Sequence, residues 1–210
     1  LKRLGRERID LYQIHCPPLH ILQNTDVFTV LDKLQQEGKI RHYGVSVETV
    51  EEGLFCLTIP GVRALEVIFN VFRQKPLEEL FPAAKKQGVG ILARVPLASG
   101  LLTGKFSTQT SFAKNDHRSF NANGEEFSKG VELSNQLSWI ADGRDTMANS
   151  ALRWILDHEE ITCAIPGFKN AQQVDQNLKA IQTKSFSKEE LARLQTFYMN
   201  EVHDYIRGPY

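Results

Sequence analysis

The first residue placed for chemistry is His15, which ends an apolar, strand-forming run, Ile9 to His15 (IDLYQIH), directly before Cys16-Pro17-Pro18. Proline cannot continue a ladder, so the strand has a hard C-terminal edge. A neutral imidazole at such an edge can donate a hydrogen bond to a carbonyl oxygen and polarise it. His20, His42, His117, His158 and His203 have no comparable context and read as surface or structural. A second set is Lys169, Gln173 and Asn177, whose spacing by four puts them on one face of a helix opening after Gly167. A helix N-terminus attracts anions through its unpaired N–H groups and dipole, and Lys169 adds a full charge there. Asp116-His117-Arg118 is a charge cluster, but three consecutive polar residues define no catalytic constellation and read as loop structure. Cys16 has no base beside it in sequence and reads as a packed or pocket-lining thiol.

The elements that must hold these residues alternate along the chain. After the Ile9 to His15 strand, Val27, Val30, Leu31 and Leu34 mark a helix over Asp26 to Glu37, with Gly38 as its C′ residue. Then come a strand at His42 to Val47, a weak helix at Val50 to Leu57, a strand at Ala64 to Phe69, a helix at Leu77 to Gln87 and a strand at Gly90 to Val95. Leu97 to Gly130 is rich in Gly, Ser, Asn and Thr and too long for an ordinary connection, which predicts a functional loop. Two helices follow, the second over Thr146 to His158, then a strand at Thr162 to Ile165 and helices at Ala171 to Ile181 and from about Ser187 to Met199. Ser187 with Glu190 forms a capping box.

Strand and helix alternate five times, which means a parallel sheet with helical crossovers. An open doubly wound sheet would be complete at 210 residues, whereas an eight-stranded β/α barrel usually needs about 250. Length alone favours the open sheet. No G-x-G-x-x-G follows any of the strands, however, so the usual phosphate loop of the dinucleotide-binding open sheet is missing.

Composition excludes several classes. Twenty-five Lys and Arg balance 25 Asp and Glu, giving no electrostatic case for nucleic acid or an anionic membrane. Hydrophobic residues at 41% and charged residues at 24% are those of a globular domain, and no run of about 18 apolar residues exists to span a bilayer. Three widely spaced cysteines argue against a disulfide framework or a structural zinc site and fit a reducing cytoplasm. The chain starts at Leu1, inside an amphipathic run, and is expected to be a piece of something longer.

Five segments in order carry a resemblance: Ile9-Asp10-Leu11-Tyr12-Gln13-Ile14-His15-Cys16-Pro17, Tyr43-Gly44-Val45-Ser46, Phe69-Asn70, Pro96 to Lys105 (PLASGLLTGK), and Ile165-Pro166-Gly167 with Gln173 and Asn177. Together they resemble the aldo-keto reductases over nearly the whole chain. The resemblance implies a (β/α)8 TIM barrel, here five parallel units matching strands four to eight, and NADPH-dependent hydride transfer to a small aldehyde or ketone. It implies His15 as the active-site histidine. The tetrad's aspartate, tyrosine and lysine lie on earlier strands and are not in this sequence, so the chain alone is expected to be inactive.

The same resemblance assigns cofactor contacts. Ser46 falls where the family holds the nicotinamide carboxamide, with Val47 in place of the accompanying asparagine. Glu66 stands where the family has glutamine, and Arg94 where an aromatic stacks on the nicotinamide ring. An arginine plane can stack on a ring and reach the pyrophosphate, the plain alternative being a solvated rim charge. Leu97, Ser99 and Leu101 fall where the loop wraps the pyrophosphate, with Gly100 and Gly104 allowing close approach and positive φ. Gly167 and Lys169 suit the ribose 2′-phosphate, and Gln173 and Asn177 the adenine edge. The rival from another class is a non-catalytic nucleotide-binding regulatory module of the same fold; a truncated reading frame without independent function is the third possibility.

Overall fold

The computed structural model describes residues 1–24, 26–113, 115–116 and 125–205. The apolar run before the prolines forms β1 (Ile9–His15), and four more strands follow: β2 (Ile40–Val47), β3 (Val62–Ile68), β4 (Gly90–Arg94) and β5 (Ile161–Ala164). All neighbours pair in parallel, and their order in the sheet is the order in the chain. A doubly wound sheet reverses strand order at a switch point, and this sheet does not, so the length argument for an open sheet is overturned.

The crossovers are helical. β1 is followed by α1 (Leu19–Leu22) and α2 (Asp26–Gln36), β2 by α3 (Val50–Cys56), and β3 by α4 (Leu80–Gln87). β4 leads through a 3-10 segment, Ala98–Thr103, to α5 (Glu125–Gln136) and α6 (Met147–Leu156), and β5 leads to α7 (Ala171–Leu178) and α8 (Lys188–Phe197). Stop signals account for most ends. Gly38 and Gly88 take φ of 71° and 67° just past α2 and α4, the left-handed conformation that costs glycine nothing. Thr49 and Ser187 cap α3 and α8 in full capping boxes.

Strand ends shift by a residue or two, and the helix expected over Ala171 to Ile181 ends at Leu178 with a 3-10 turn, Lys179–Ile181, after it; two larger differences have a local cause. The segment expected as one helix from Leu77 is a 3-10 turn, Lys75–Leu77, with α4 starting only at Leu80, because Pro76 fixes a tight turn first. The expected loop to Gly130 ends earlier, since Glu125 to Gly130 already belong to α5, whose first turn carries Glu125 and Glu126 against the helix dipole. His117 and Arg118 lie outside the described residues.

Side chains alternate across the sheet. Tyr43, Val45, Val47, Leu65, Val67, Ile91 and Ala93 are buried on the face the helices cover. On the opposite face Leu11, Gln13, Glu66, Ile68, Leu92 and Arg94 are only half-buried, and His15 is exposed. The outer ring is pinned by Arg144. Its guanidinium donates to both Glu190 carboxylate oxygens, at 3.0 and 2.8 Å, and to the carbonyls of Ile140, Lys184 and Ser185, tying the approach to α6 to the start of α8.

Candidate active site

β1 and β2 run in register at their C-terminal ends, so His15 lies beside Ser46, and Ser46 beside Glu66 on β3. Arg94 is the last residue of β4 and is level with Ile68. His15, Ser46, Glu66 and Arg94 therefore all stand within two residues of the C-terminal ends of their strands, and Ile165 follows β5 directly. In a β/α architecture that edge is where chemistry is assembled.

A strained turn closes β1. Cys16 has φ of 46°, and its N–H donates to the Ser46 carbonyl at 3.0 Å while its Sγ lies 3.3 Å from Ser46 Oγ. Burial, then a hydrogen bond to Glu48, pushes the Cys16 thiol above its ordinary value and keeps it protonated. The packed thiol expected from sequence is what stands there. Ser46 is buried.

Arg94 is not a solvated rim charge. Only 14% of its side chain is exposed, and it reaches past β3 to β2 and β1. One guanidinium nitrogen, Nη2, donates to the Val47 carbonyl at 3.2 Å, to Glu48 Oε1 at 2.5 Å and to Cys16 Sγ at 3.4 Å. Its Nε–H is buried with no partner among the described residues. Burial works against the Glu48 carboxylate, but the bonds from Cys16 and Arg94 and the Arg94 charge outweigh it and hold its pKa below the usual range. Sequence reading missed Glu48. No spacing marks it, since its partners come from strands 46 and 32 residues away.

Glu66 accepts a hydrogen bond from Gln13 Nε2 at 3.0 Å. Gln13 was also missed, although its position two residues before His15 puts both on one face of β1. Val47 occupies the family's asparagine position but is buried in the core on the helix-covered face.

After β4 the backbone carries four consecutive-region residues of positive φ: Val95 at 52°, Ala98 at 48°, Ser99 at 55° and Gly100 at 102°. A β-branched residue rarely adopts this conformation, and such strain collects at ligand sites. Leu97 and Ser99 lie within this turn and Leu101 follows it. Ser99 and Leu101 line a cavity of 1280 Å³ that begins at Ile68, Asn70 and Val95. Asn70 fixes the adjoining corner, donating to the Val95 carbonyl and accepting from Phe72 N–H, each at 2.9 Å.

The third group gathers at the start of α7, but Lys169 precedes the extended N-cap Asn170 and so lies in the loop before the helix, not on its face with Gln173 and Asn177 as the spacing by four predicts. Gln173 Oε1 accepts from Lys169 N–H at 2.6 Å, and Asn177 Nδ2 donates to the Gly167 carbonyl at 3.4 Å. These amides brace the loop that presents the exposed Lys169. The N-cap is Asn170, whose side chain accepts from Gln173 N–H at 2.9 Å. An asparagine three residues before the first amide of the set is the signal that would have found it.

The model of the aldo/keto reductase family matches residues 1–199. The chain belongs to that family. Over its full length it is 30% identical to the aldo-keto reductase YhdN of Bacillus subtilis, covering 63% of that protein. It is 30% identical over 92% of its length to the L-glyceraldehyde 3-phosphate reductase of Escherichia coli O157:H7, of which it covers 59%. Among solved structures, the glycerol dehydrogenase AKR11B4 from Gluconobacter oxydans superposes over the whole chain and 64% of its own, with a TM-score of 0.78 and 29% identity. The chain thus spans less than two thirds of these aldo/keto reductases, and its five sequential parallel units have the fold of part of a (β/α)8 barrel. No helix of the described residues is long and apolar enough to cross a membrane.

Proposed function

We propose that this chain carries the active-site histidine and most of the cofactor contacts of an NADPH-dependent reductase that converts small aldehydes or ketones to alcohols. The observation that carries this reading is the convergence of His15, Ser46, Glu66 and Arg94 on one C-terminal sheet edge. A relative in Schizosaccharomyces pombe, 27% identical over 88% of the chain, bears NADP(+) in its name.

The residues present fit such a cofactor. The Arg94 Nε–H is a buried donor without a partner among the described residues, open to a cofactor acceptor, and the Arg94 plane is held in place by Glu48. Ser46, Glu66 and Arg94 would surround the nicotinamide end, Leu97, Ser99 and Leu101 the pyrophosphate, and Gly167, Lys169, Gln173 and Asn177 the 2′-phosphate and adenine. When bound, the reduced nicotinamide supplies the hydride. His15 donates a hydrogen bond to the substrate carbonyl oxygen, which polarises the carbonyl and fixes its orientation.

The proton that completes the alcohol needs a further donor. Among the described tyrosines, Tyr43 and Tyr198 are buried in the core, Tyr12 alternates with Gln13 and so faces away from the His15 side, and Tyr205 stands on the outer wall of the cavity against the Lys129 ammonium. General acid catalysis is commonly worth about 10² to 10⁴-fold. We therefore assign the five units to strands four to eight of the family barrel and expect little turnover from them alone. The half-buried inner face of the sheet supports that assignment.

The test compares the 210-residue chain with the same chain joined behind the first three β/α units of a family member, following NADPH oxidation with benzaldehyde. The joined protein should turn over, and His15→Leu in it should lower kcat by about 10²-fold or more. Full activity of the short chain, or an inert His15 substitution, would refute the reading.

A further inference from the structure

The half-buried face of the five strands carries one carboxylate, Glu66 on β3, and one guanidinium, Arg94 on β4. The two redox forms of a nicotinamide differ by one charge, since the oxidised ring is a cation and the reduced ring is neutral. We propose that Glu66, with Glu48 cancelling the charge of Arg94, makes this edge stabilise the oxidised ring more than the reduced one, and so favours reduction of the carbonyl. Two electrons leave the ring as hydride for the carbonyl carbon, the positive charge stays on the ring, and the oxygen takes its proton from the further donor. The inference rests on the cofactor reading for where the ring lies.

The charges at the edge do not balance. Arg94 Nη2 meets Glu48 Oε1 at 2.5 Å, so its charge is taken up within a pair. Arg73 also acts on Glu48, as the weakest of the influences there. Among the described residues no cation pairs with Glu66, whose partner is the neutral Gln13 amide at 3.0 Å. The Glu66 charge nevertheless reaches across β4. Burial first, and then that charge, push the Cys163 thiol on β5 above its ordinary value. Two carboxylates thus face one guanidinium at this edge, and the one left over is Glu66.

Both carboxylates are held in advance. The Glu48 N–H donates to Glu52 Oε2 at 2.8 Å, and Glu52 also closes the capping box of α3, so the cancelling group stands on a fixed backbone. Glu66 is held by Gln13 Nε2, and turning that amide would set its oxygen against a carboxylate oxygen. Charges fixed beforehand need no rearrangement when charge develops beside them, which is what makes them effective on a reacting ring.

A ratio of two affinities isolates this effect. The 2′-phosphate, pyrophosphate and adenine are the same in both redox forms, so whatever Lys169, Ser99 and Gln173 contribute is common to both and cancels. Only a group with differential affinity for the two rings can shift the balance between them. A residue that merely shapes the edge changes both affinities alike. The glutamine that the family has at position 66 is neutral, so the preference belongs to the substitution in this chain.

The experiment titrates NADP+ and NADPH separately into the 210-residue chain and its variants by calorimetry, without turnover. Glu66→Gln keeps an oxygen for the Gln13 amide and should weaken NADP+ by about five- to thirtyfold while leaving NADPH within about twofold. Glu66→Asp retains the charge and should restore the native ratio to within about threefold. Glu48→Gln leaves Arg94 uncancelled and should move the ratio in the same direction as Glu66→Gln. Equal weakening of both forms in Glu66→Gln, or an unchanged ratio there, overturns the inference and leaves the cofactor reading standing. Failure of both forms to bind the native chain overturns the cofactor reading and the inference with it.

Discussion

Gln13 on β1 and Glu66 on β3 are joined at 3.0 Å across the strand between them, over the bare Cα of Gly44 on β2. Glu66 as a carboxylate only accepts, so the Gln13 amide turns its NH2 toward it and leaves its carbonyl oxygen buried over Gly44 without a hydrogen-bond partner among the described residues. A Cβ at Gly44 would come within 2.8 Å of that oxygen and 2.4 Å of the Ala64 carbonyl oxygen. The Gln13–Glu66 pairing thus depends on a glycine that contributes no side chain of its own.

Gly44→Ala should therefore destabilise the fold by about 1 to 3 kcal/mol through overpacking. The measurement is urea unfolding, with a lower midpoint at unchanged slope. Adding Gln13→Ala should recover only part of the loss, since the Ala64 backbone carbonyl cannot move aside as a side chain can. Complete recovery would mean that the sheet tolerates a Cβ here.

The Glu48–Arg94 pair makes an acid-side prediction. The folded Glu48 carboxyl lies below its ordinary value of 4.5, because the bonds from Cys16 and Arg94 outweigh its burial. A depressed carboxyl contributes stability that is present above the unfolded value and lost as pH falls through the folded one. Thermal unfolding followed downward from about pH 6 should accordingly steepen below 4.5 in the native protein. In Glu48→Gln the midpoint should start lower and fall less over that window, and parallel curves would show that the pair does not couple to folding.

His158 makes a prediction nearer neutrality. Its ring packs edge-on against Trp154 and Phe69 at 4.6 and 5.3 Å, and its Nε2 is buried without a partner among the described residues. Burial lowers its pKa from 6.5, with the nearby Glu160 and Asp157 opposing. The unfolded state then binds the proton first, so this contribution is complete above pH 6.5 and declines as pH drops from there toward the folded value. His158→Phe should remove that decline while keeping the aromatic packing. A native midpoint that stays flat between about pH 7 and pH 5.5 would contradict the assignment.

What could be read in advance follows from how local each signal is. The edge after His15, the stop at Gly38 and the box at Ser187 and Glu190 rest on neighbouring residues, and all three stand in the structure. Strand order came from the alternation of periods, while length argued for the wrong sheet, because 210 residues can hold either a whole open sheet or a large part of a barrel. The partners of Arg94 were not legible. Glu48, Val47 and Cys16 meet it only because the shear of the sheet brings the ends of β1 and β2 under a side chain from β4. The same holds for Gln13, whose amide needs the gap at Gly44 to reach Glu66.

Lys169 offers the cleanest test of cofactor choice, because its two functions in the structure are separable. Its backbone N–H is held by Gln173 Oε1 at 2.6 Å, whereas its side chain is exposed and free to meet a phosphate. Lys169→Ala keeps the backbone bond and the Asn170 cap, so the loop before α7 should keep its form. A charge-assisted contact is worth about 1.5 to 3 kcal/mol, which becomes a loss of roughly ten- to a hundredfold in NADPH affinity. NADH has no 2′-phosphate and should bind the variant as it binds the native protein. Gln173→Ala is the contrasting change: it frees the Lys169 N–H and slackens the loop, so both cofactors should weaken together. Fluorescence titration of the two variants with the two cofactors therefore yields four affinities, and an equal loss of NADPH and NADH in Lys169→Ala would show that this lysine does not read the phosphate.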